Sequence, residues 1–156
     1  MPECSVVVKP WSELTTAELY SILKLRTDVF FVEQKIDEEE LDNRDFEPSA
    51  VHYWITDGAA VENAGQVIAY LRVLFNPAAT HLAAHRVPGR VVVRADRRGE
   101  GLAQLLFEKV IDDFGAEPLL LHAQEYVAPL YAKFGFAAFG DTYLEAGIRH
   151  VSMYRP

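Results

Sequence analysis

The sequence predicts an α/β (α+β) fold, a mixed sheet of about six or seven strands with flanking helices. Three observations lead to it. β-like runs and periodic helical segments alternate along the 156 residues, half of which are apolar. The runs between residues 51 and 95 follow one another with no helix between them, as antiparallel neighbours do, whereas the next run comes only after a helix, as a β-α-β crossover requires. No repeat, low-complexity tract or Pro/Ser linker divides the chain, so residues 1–156 read as one domain large enough to bury its own core.

Residues 5–9 form a β-rich run ended by Pro10, and Thr15 with Glu18 makes a capping box that opens a helix. Leu19, Ile22, Leu23, Val29 and Phe30 recur at helical spacing, which carries that helix to about residue 31 with Arg26 inside its apolar stripe. Residues 51–55 and 66–75 read as a hairpin around a turn containing Asp57, Gly58 and Gly65, and residues 76–88 as one long loop. The run at 89–95 is apolar on both faces, as in a central strand. Leu102, Leu105, Leu106, Val110 and Phe114 line one face of a helix over 101–114, and Gly115 stops it. Residues 119–121 are a buried strand, 129–134 a short helix with proline in its first turn, and β-like stretches surround Thr142 and Val151.

A net charge of −8 argues against binding a phosphate backbone, so a nucleic-acid partner is not expected. The one cysteine, Cys4, can form no internal disulfide and suits a reducing cytoplasm. The start has no basic segment followed by an apolar stretch, and no run reaches the roughly 18 apolar residues of a membrane span, so a cytoplasmic protein without membrane attachment is expected.

Chemistry concentrates in residues 91–103, where a buried strand passes through a basic, glycine-containing turn straight into a helix. The first N–H groups of a helix lack internal partners and carry about half a positive charge, so such a turn suits phosphate oxygens. Gly99 and Gly101 allow close approach, and Arg86, Arg90, Arg94, Arg97 and Arg98 crowd into this part of an acidic chain. A polyphosphate ligand is implied, against the alternative of a solvated basic turn. The Lys-Ser/Thr end of a P-loop and the G-x-G-x-x-G of a dinucleotide fold are both missing, which argues against nucleotide hydrolysis and hydride transfer.

Arg98-Gly-Glu-Gly101-Leu-Ala103 resembles the R/Q-x-x-G-x-G/A acyl-CoA signature of the GNAT N-acetyltransferase superfamily, and Tyr131-Ala-Lys-Phe-Gly135-Phe136 resembles its Y-x-x-x-G-F segment. The likeness extends over nearly the whole chain to the ElaA-like branch, through Leu25-Arg26, Val29-Phe30, Val32-Glu33-Gln34, Asp42, Asp45, His52, Tyr70, Arg72, Gly89-Arg90-Val91, Ala123-Gln124 and Gly147-Ile148 with His150. His122 departs from it, since the branch suggests a small residue there. The resemblance implies a single GNAT-like domain with acetyl-CoA as cosubstrate, held in a gap between two splayed central strands, which here would be residues 90–94 and 119–123. Backbone groups of Val91 and Val93 would pair with the pantetheine amides. Arg98, Gly99, Glu100, Gly101, Leu102 and Ala103 would hold the pyrophosphate, with Gln124 nearby.

The resemblance also makes Tyr131 the candidate general acid for the CoA thiolate, although its residue type alone suits a core aromatic. Glu33 is the candidate general base at the head of an acidic tract, with eight acids against Lys35 and Arg44 over residues 33–47. That tract either attracts a cationic amine or is solvated surface. Arg26 on an apolar stripe needs a partner, Glu33 or Asp45, or contacts substrate. Asp42 and His52 are weaker candidates on the acceptor side, and Arg72 either pairs with a carboxylate or binds an acidic part of the acceptor. His81, His85 and His150 show no H-x-x-x-H pattern with a nearby carboxylate, so no metal site is expected.

Together these features imply an N-acetyltransferase moving acetyl from acetyl-CoA to a primary amine of a small molecule or peptide by direct transfer. Cys4 lies far along the chain from both motifs, which disfavours an acyl-cysteine route. The rivals are an acyl-CoA-binding regulatory module without turnover and an acyl-homoserine-lactone-synthase-like enzyme. The acceptor's identity and the oligomeric state, a homodimer among the options, stay open.

Overall fold

Thr15 Oγ1 accepts a hydrogen bond from the Glu18 N–H at 3.1 Å while the Glu18 carboxylate accepts one from the Thr15 N–H at 2.9 Å, and this box opens helix α1, Thr16–Arg26. The computed structural model describes residues 5–63 and 65–156, so Cys4 lies outside the described residues. The helix does not continue in α form to residue 31. From Thr27 to Glu33 it widens into a π-helical segment. A π turn takes up an extra residue, so Val29 stays buried and Phe30 half-buried while Phe31 and Val32 face solvent. The buried face is Ile22, Leu25, Arg26 and Val29, with Leu25 rather than Leu23 at its centre.

The strands are β1 (Val7–Pro10), β2 (Val51–Thr56), β3 (Val67–Phe75), β4 (Arg86–Val93), β5 (Leu119–Gln124), β6 (Ala137–Glu145) and β7 (Ile148–Arg155). They form one seven-stranded mixed sheet in the order β1-β2-β3-β4-β5-β7-β6. Every pairing is antiparallel except β4 with β5, which are parallel and joined through helix α2, Leu102–Phe114. A short helix α3, Ala128–Ala132, follows β5.

Two strands are longer than their sequence suggests. β4 begins at Arg86 inside the expected loop, with Arg86, Val87 and Pro88 paired to Phe75, Leu74 and Val73. Proline fits where no ladder bond is needed, and beyond Arg86 the β5 side of β4 carries no pairing. β5 runs on from Leu121 to Gln124, alternating buried Leu121 and Ala123 with the polar His122 and Gln124.

Helices cover both faces of the sheet. Leu106, Phe107 and Val110 of α2 and Tyr131 of α3 pack with Leu71, Leu119 and Leu121, while Ile22, Leu25 and Val29 pack with Trp54, Tyr70 and Val92. A register shift between Ile55 and Thr56 sends Ile68 into the α2 cluster and Tyr70 into the α1 cluster, so Ile68 does not share the Arg72 face as simple alternation predicts. Among the described residues no helix is long and apolar enough to cross a membrane.

The feature that positions the site is the divergence of β4 from β5. They share a single bridge, Arg86 with Leu119, and separate after it. On its other side β4 carries a bulge: Val92 pairs with Tyr70 and Gly89 with Arg72, so Arg90 and Val91 together oppose Leu71. Arg90 takes φ +52° to make it.

Candidate active site

Where the strands part, a cleft of about 860 Å³ opens. Val91 and Val93 of β4, His122 and Gln124 of β5, Ala103 of α2 and Tyr131 of α3 line it, with Asp42 and Arg72 also on its wall. A hollow of about 200 Å³ adjoins it at the start of α2, lined by Arg98, Gly99, Gly101, Leu102 and Ala103. Gly99 and Gly101 have φ of +83° and +78°, and no atom lies within 4 Å of where a Cβ would stand on either, so their conformation favours glycine and the space in front of them is open. Gly101 is the N-cap of α2 and provides no side-chain cap. The first helical bond runs from the Leu105 N–H to the Gly101 carbonyl, which leaves the N–H groups of Leu102, Ala103 and Gln104 without helical partners. These features fit a pyrophosphate, and the open edge of β4 fits an extended amide-bearing chain.

The arginines of the turn are not bare. Arg86 pairs with Glu117, Arg90 with Glu40, Arg94 with Asp96, and Arg97 with Glu100, so the positive charge expected there is largely compensated. Arg98 lines both the cleft and the hollow; it donates to the Val93 carbonyl at 3.1 Å and to both Glu33 oxygens at 2.6 and 2.8 Å. Glu33 thus stands at the phosphate turn, outside the residues lining the cleft, and the hydrogen bond from Arg98 holds its carboxyl below the ordinary range. In the empty site both oxygens of Glu33 are thus occupied by Arg98. Glu100 also lies outside the lining of both spaces, occupied by Arg97.

Beneath α1 the acidic segment is tied to strand arginines. Arg26, 1% exposed, donates to Asp45 at 2.6 Å and to Glu40 at 2.8 Å, so Asp45 is its partner and Glu33 is not. Arg72, 3% exposed, donates to both Asp42 and Asp45, and its Nε is buried without a hydrogen-bond partner. Burial opposes the charge on Asp42 and Asp45. For Asp42 the hydrogen bonds from Arg72 and the Arg44 N–H, with the charges of Arg72 and Arg90, together outweigh it, and for Asp45 the hydrogen bonds and charges of Arg26 and Arg72 do, so both carboxyls sit below their usual range, Asp42 well below it. His52 is sealed between the Tyr70 hydroxyl at 2.7 Å and the Asp45 carbonyl at 2.9 Å, and burial lowers its basicity. Arg26 and His52 therefore stand outside the cleft lining, whereas Asp42 and Arg72 reach it. The acidic tract divides: Glu40, Asp42, Asp45 and Glu47 hold arginines, while Glu38 and Glu39 remain exposed on the cleft wall.

Tyr131 packs against Phe107 and Phe136, and burial pushes its hydroxyl up from the usual value, so it keeps its proton throughout the neutral range. Core packing and cleft lining are both true of this side chain. Gln124 exchanges amide hydrogen bonds with Gln34, which follows the π segment, and so joins two sides of the cleft. Residues not foreseen as site members also line it: Tyr143 and Glu145 of β6 and His150 of β7, next to His122. The sheet order brings β7 beside β5, which local sequence does not disclose. Among the described residues no cluster of His, Cys, Asp and Glu is arranged to hold a metal ion.

A family model described as an acetyltransferase (GNAT) domain matches residues 33–155. A UPF0039 protein of Mycobacterium tuberculosis is 35% identical over 146 residues, covering 92% of this chain and 88% of its own. ElaA of Escherichia coli is 32% identical over 150 residues, covering 92% and 91%, and its crystal structure superposes with a TM-score of 0.84 over 99% of this chain and 100% of its own at 28% identity. The crystal structure of an acyl-CoA N-acyltransferase from Pseudomonas aeruginosa gives a TM-score of 0.84 at 34% identity, covering 99% of this chain and 100% of its own.

Proposed function

The chain belongs to the GNAT acetyltransferase family and is an acyltransferase, and from that premise we propose that it moves an acetyl group from acetyl-CoA to a primary amine of a small molecule or peptide. Transfer is direct, within a ternary complex. The observation that carries this reading is the open edge of β4 leading into an uncapped helix N-terminus. Val91 and Val93 offer backbone groups to the pantetheine arm, and the N–H groups of residues 99–103 receive the pyrophosphate. Arg98 turns from Glu33 to the phosphates, so Glu33 keeps that guanidinium in place when the site is empty. Gln124 borders the arm, and Asp42 with Arg72 shapes the wall toward the amine. Arg26 and His52 support that wall from behind. We take the protein to act in the cytoplasm, which a chain with a single cysteine suits.

The thioester supplies an activated acyl carbon. Tyr131 holds the proton that the departing sulfur needs, and the buried ring fixes its direction. Tyr131→Phe removes that proton and little else. It is expected to leave the Kd for acetyl-CoA within about twofold and to lower kcat by about 10² to 10⁴, the usual contribution of a general acid. Calorimetry and thiol-release kinetics on the same preparation check both halves, and wild-type kcat would reduce Tyr131 to a packing role.

A further inference from the structure

We propose that His122 is the group that takes the proton from the acceptor amine, which makes it a catalytic residue of the acyl transfer proposed above. β4 and β5 share only the Arg86–Leu119 bridge, so three residues further on Gly89 and His122 stand level, where the strands begin to part. That is the narrow end of the cleft, away from the α2 N-terminus, and His122 lines it with an exposed side chain. Its Nδ1 rests 3.4 Å from Ser152 Oγ of the neighbouring strand, and Nε2 has no hydrogen-bond partner among the described residues.

The other histidine of the cleft is already engaged. His150 has its Nδ1 on the Ile148 carbonyl at 2.8 Å and its Nε2 3.4 Å from Glu145. Glu33 stands at the phosphate turn, outside the residues that line the cleft, and Asp42 and Asp45 are held by Arg26 and Arg72. Of these groups, His122 alone has a basic nitrogen free to meet a ligand. Partial desolvation by the cleft walls lowers its pKa; among charged and titratable neighbours Glu145 of β6 opposes this and His150 of β7 adds to it. The ring is accordingly neutral at pH 7 and able to accept a proton.

The proton count closes. The ammonium gives one proton to Nε2 of His122, and the freed lone pair forms the C–N bond as the C–S bond breaks, with the electron pair leaving on sulfur. Tyr131 protonates that sulfur and is restored, through water, by the second proton lost from the nitrogen. His122 then releases its proton to the solvent that reaches it, so one proton appears per amide formed.

The test uses the full chain with acetyl-CoA and ethanolamine, spermidine and lysine methyl ester as probe amines, in wild type and His122→Asn. Ring spectra by NMR should show His122 titrating below 6.5 in the free protein. The acidic limb of kcat/KM for the amine should follow that midpoint. His122→Asn is expected to remove the limb and lower kcat by about 10² or more, with the Kd for acetyl-CoA unchanged. Wild-type turnover with the limb intact in His122→Asn, or an acidic limb that does not follow the ring midpoint, would overturn the assignment while leaving the transferase reading standing. Acetyl-CoA binding without thiol release by the wild type, whichever amine is supplied, would overturn the transfer reading itself and this assignment with it.

Discussion

Gly101→Asp is expected to weaken acetyl-CoA binding by about 100-fold or more, a loss of roughly 3 kcal/mol. Gly101 stands at the N-cap of α2 with φ +78°, in front of N–H groups that the helix leaves unbonded. An aspartate there would cap those groups with its own carboxylate and place a negative charge where the pyrophosphate belongs. The space beside Gly101 is open, so the variant meets no packing clash, and its strain is limited to the left-handed backbone, which aspartate tolerates better than most residues. Gly101→Ala shares the strain without the charge and should lose less than about tenfold. Calorimetry on the two variants, with a melting curve for each, separates the effects. Equal affinity for Gly101→Asp and wild type would remove the turn as the phosphate site.

Asp45→Asn should cost about 3 to 5 kcal/mol of folding stability, the usual consequence of stripping one partner from a buried ion pair. Its carboxylate is shared by Arg26 and Arg72, both almost fully buried, so the change leaves Arg26 with Glu40 and Arg72 with Asp42 as the one remaining carboxylate of each. An exposed acid such as Glu38 has no such partners, and Glu38→Gln should stay within about 0.5 kcal/mol. The same network sets the acid limb of stability. The folded pKa values of Asp42 and Asp45 lie below their unfolded values, so the stabilisation is complete above the unfolded value of about 4 and is lost as pH falls toward the folded ones. Urea titrations at neutral and acidic pH should show wild type losing stability below about pH 4 and Asp45→Asn losing less of it. Parallel curves would mean that Asp45 carries none of the dependence.

What the sequence discloses about this site follows the range of the interactions. The strand, turn and helix over residues 91–103 are contiguous, so the glycines and the uncapped helix start are legible directly, and both glycines do adopt positive φ. The arginines beside them are equally visible, but their compensation is only partly local: Arg97 finds Glu100 three residues away, while Arg98 reaches back to Glu33 across 65 positions. A buried arginine on the α1 stripe announces that a carboxylate must be near, with Glu33 and Asp45 as the options, and only the fold chooses Asp45, 19 residues on. The π segment is hidden because its residues keep the apolar pattern of the helix before it. Apolar residues alone end the fifth strand at Leu121 and the family resemblance carries it to Ala123, so His122 is visible as a departure from the family, but its neighbours on β7 come beside it only through the sheet order.

The most direct test of acetyl transfer follows both products together. Full-length protein is incubated with acetyl-CoA and a broad set of amines, polyamines, amino acids and peptides, and free CoA thiol and N-acetylated amine are quantified by mass spectrometry. Transfer predicts that, for at least one acceptor, the two appear in equal amounts, at a rate that rises with protein concentration and falls sharply in Tyr131→Phe. Tight acetyl-CoA binding with neither product above the protein-free control would contradict it and leave an acyl-CoA-binding module.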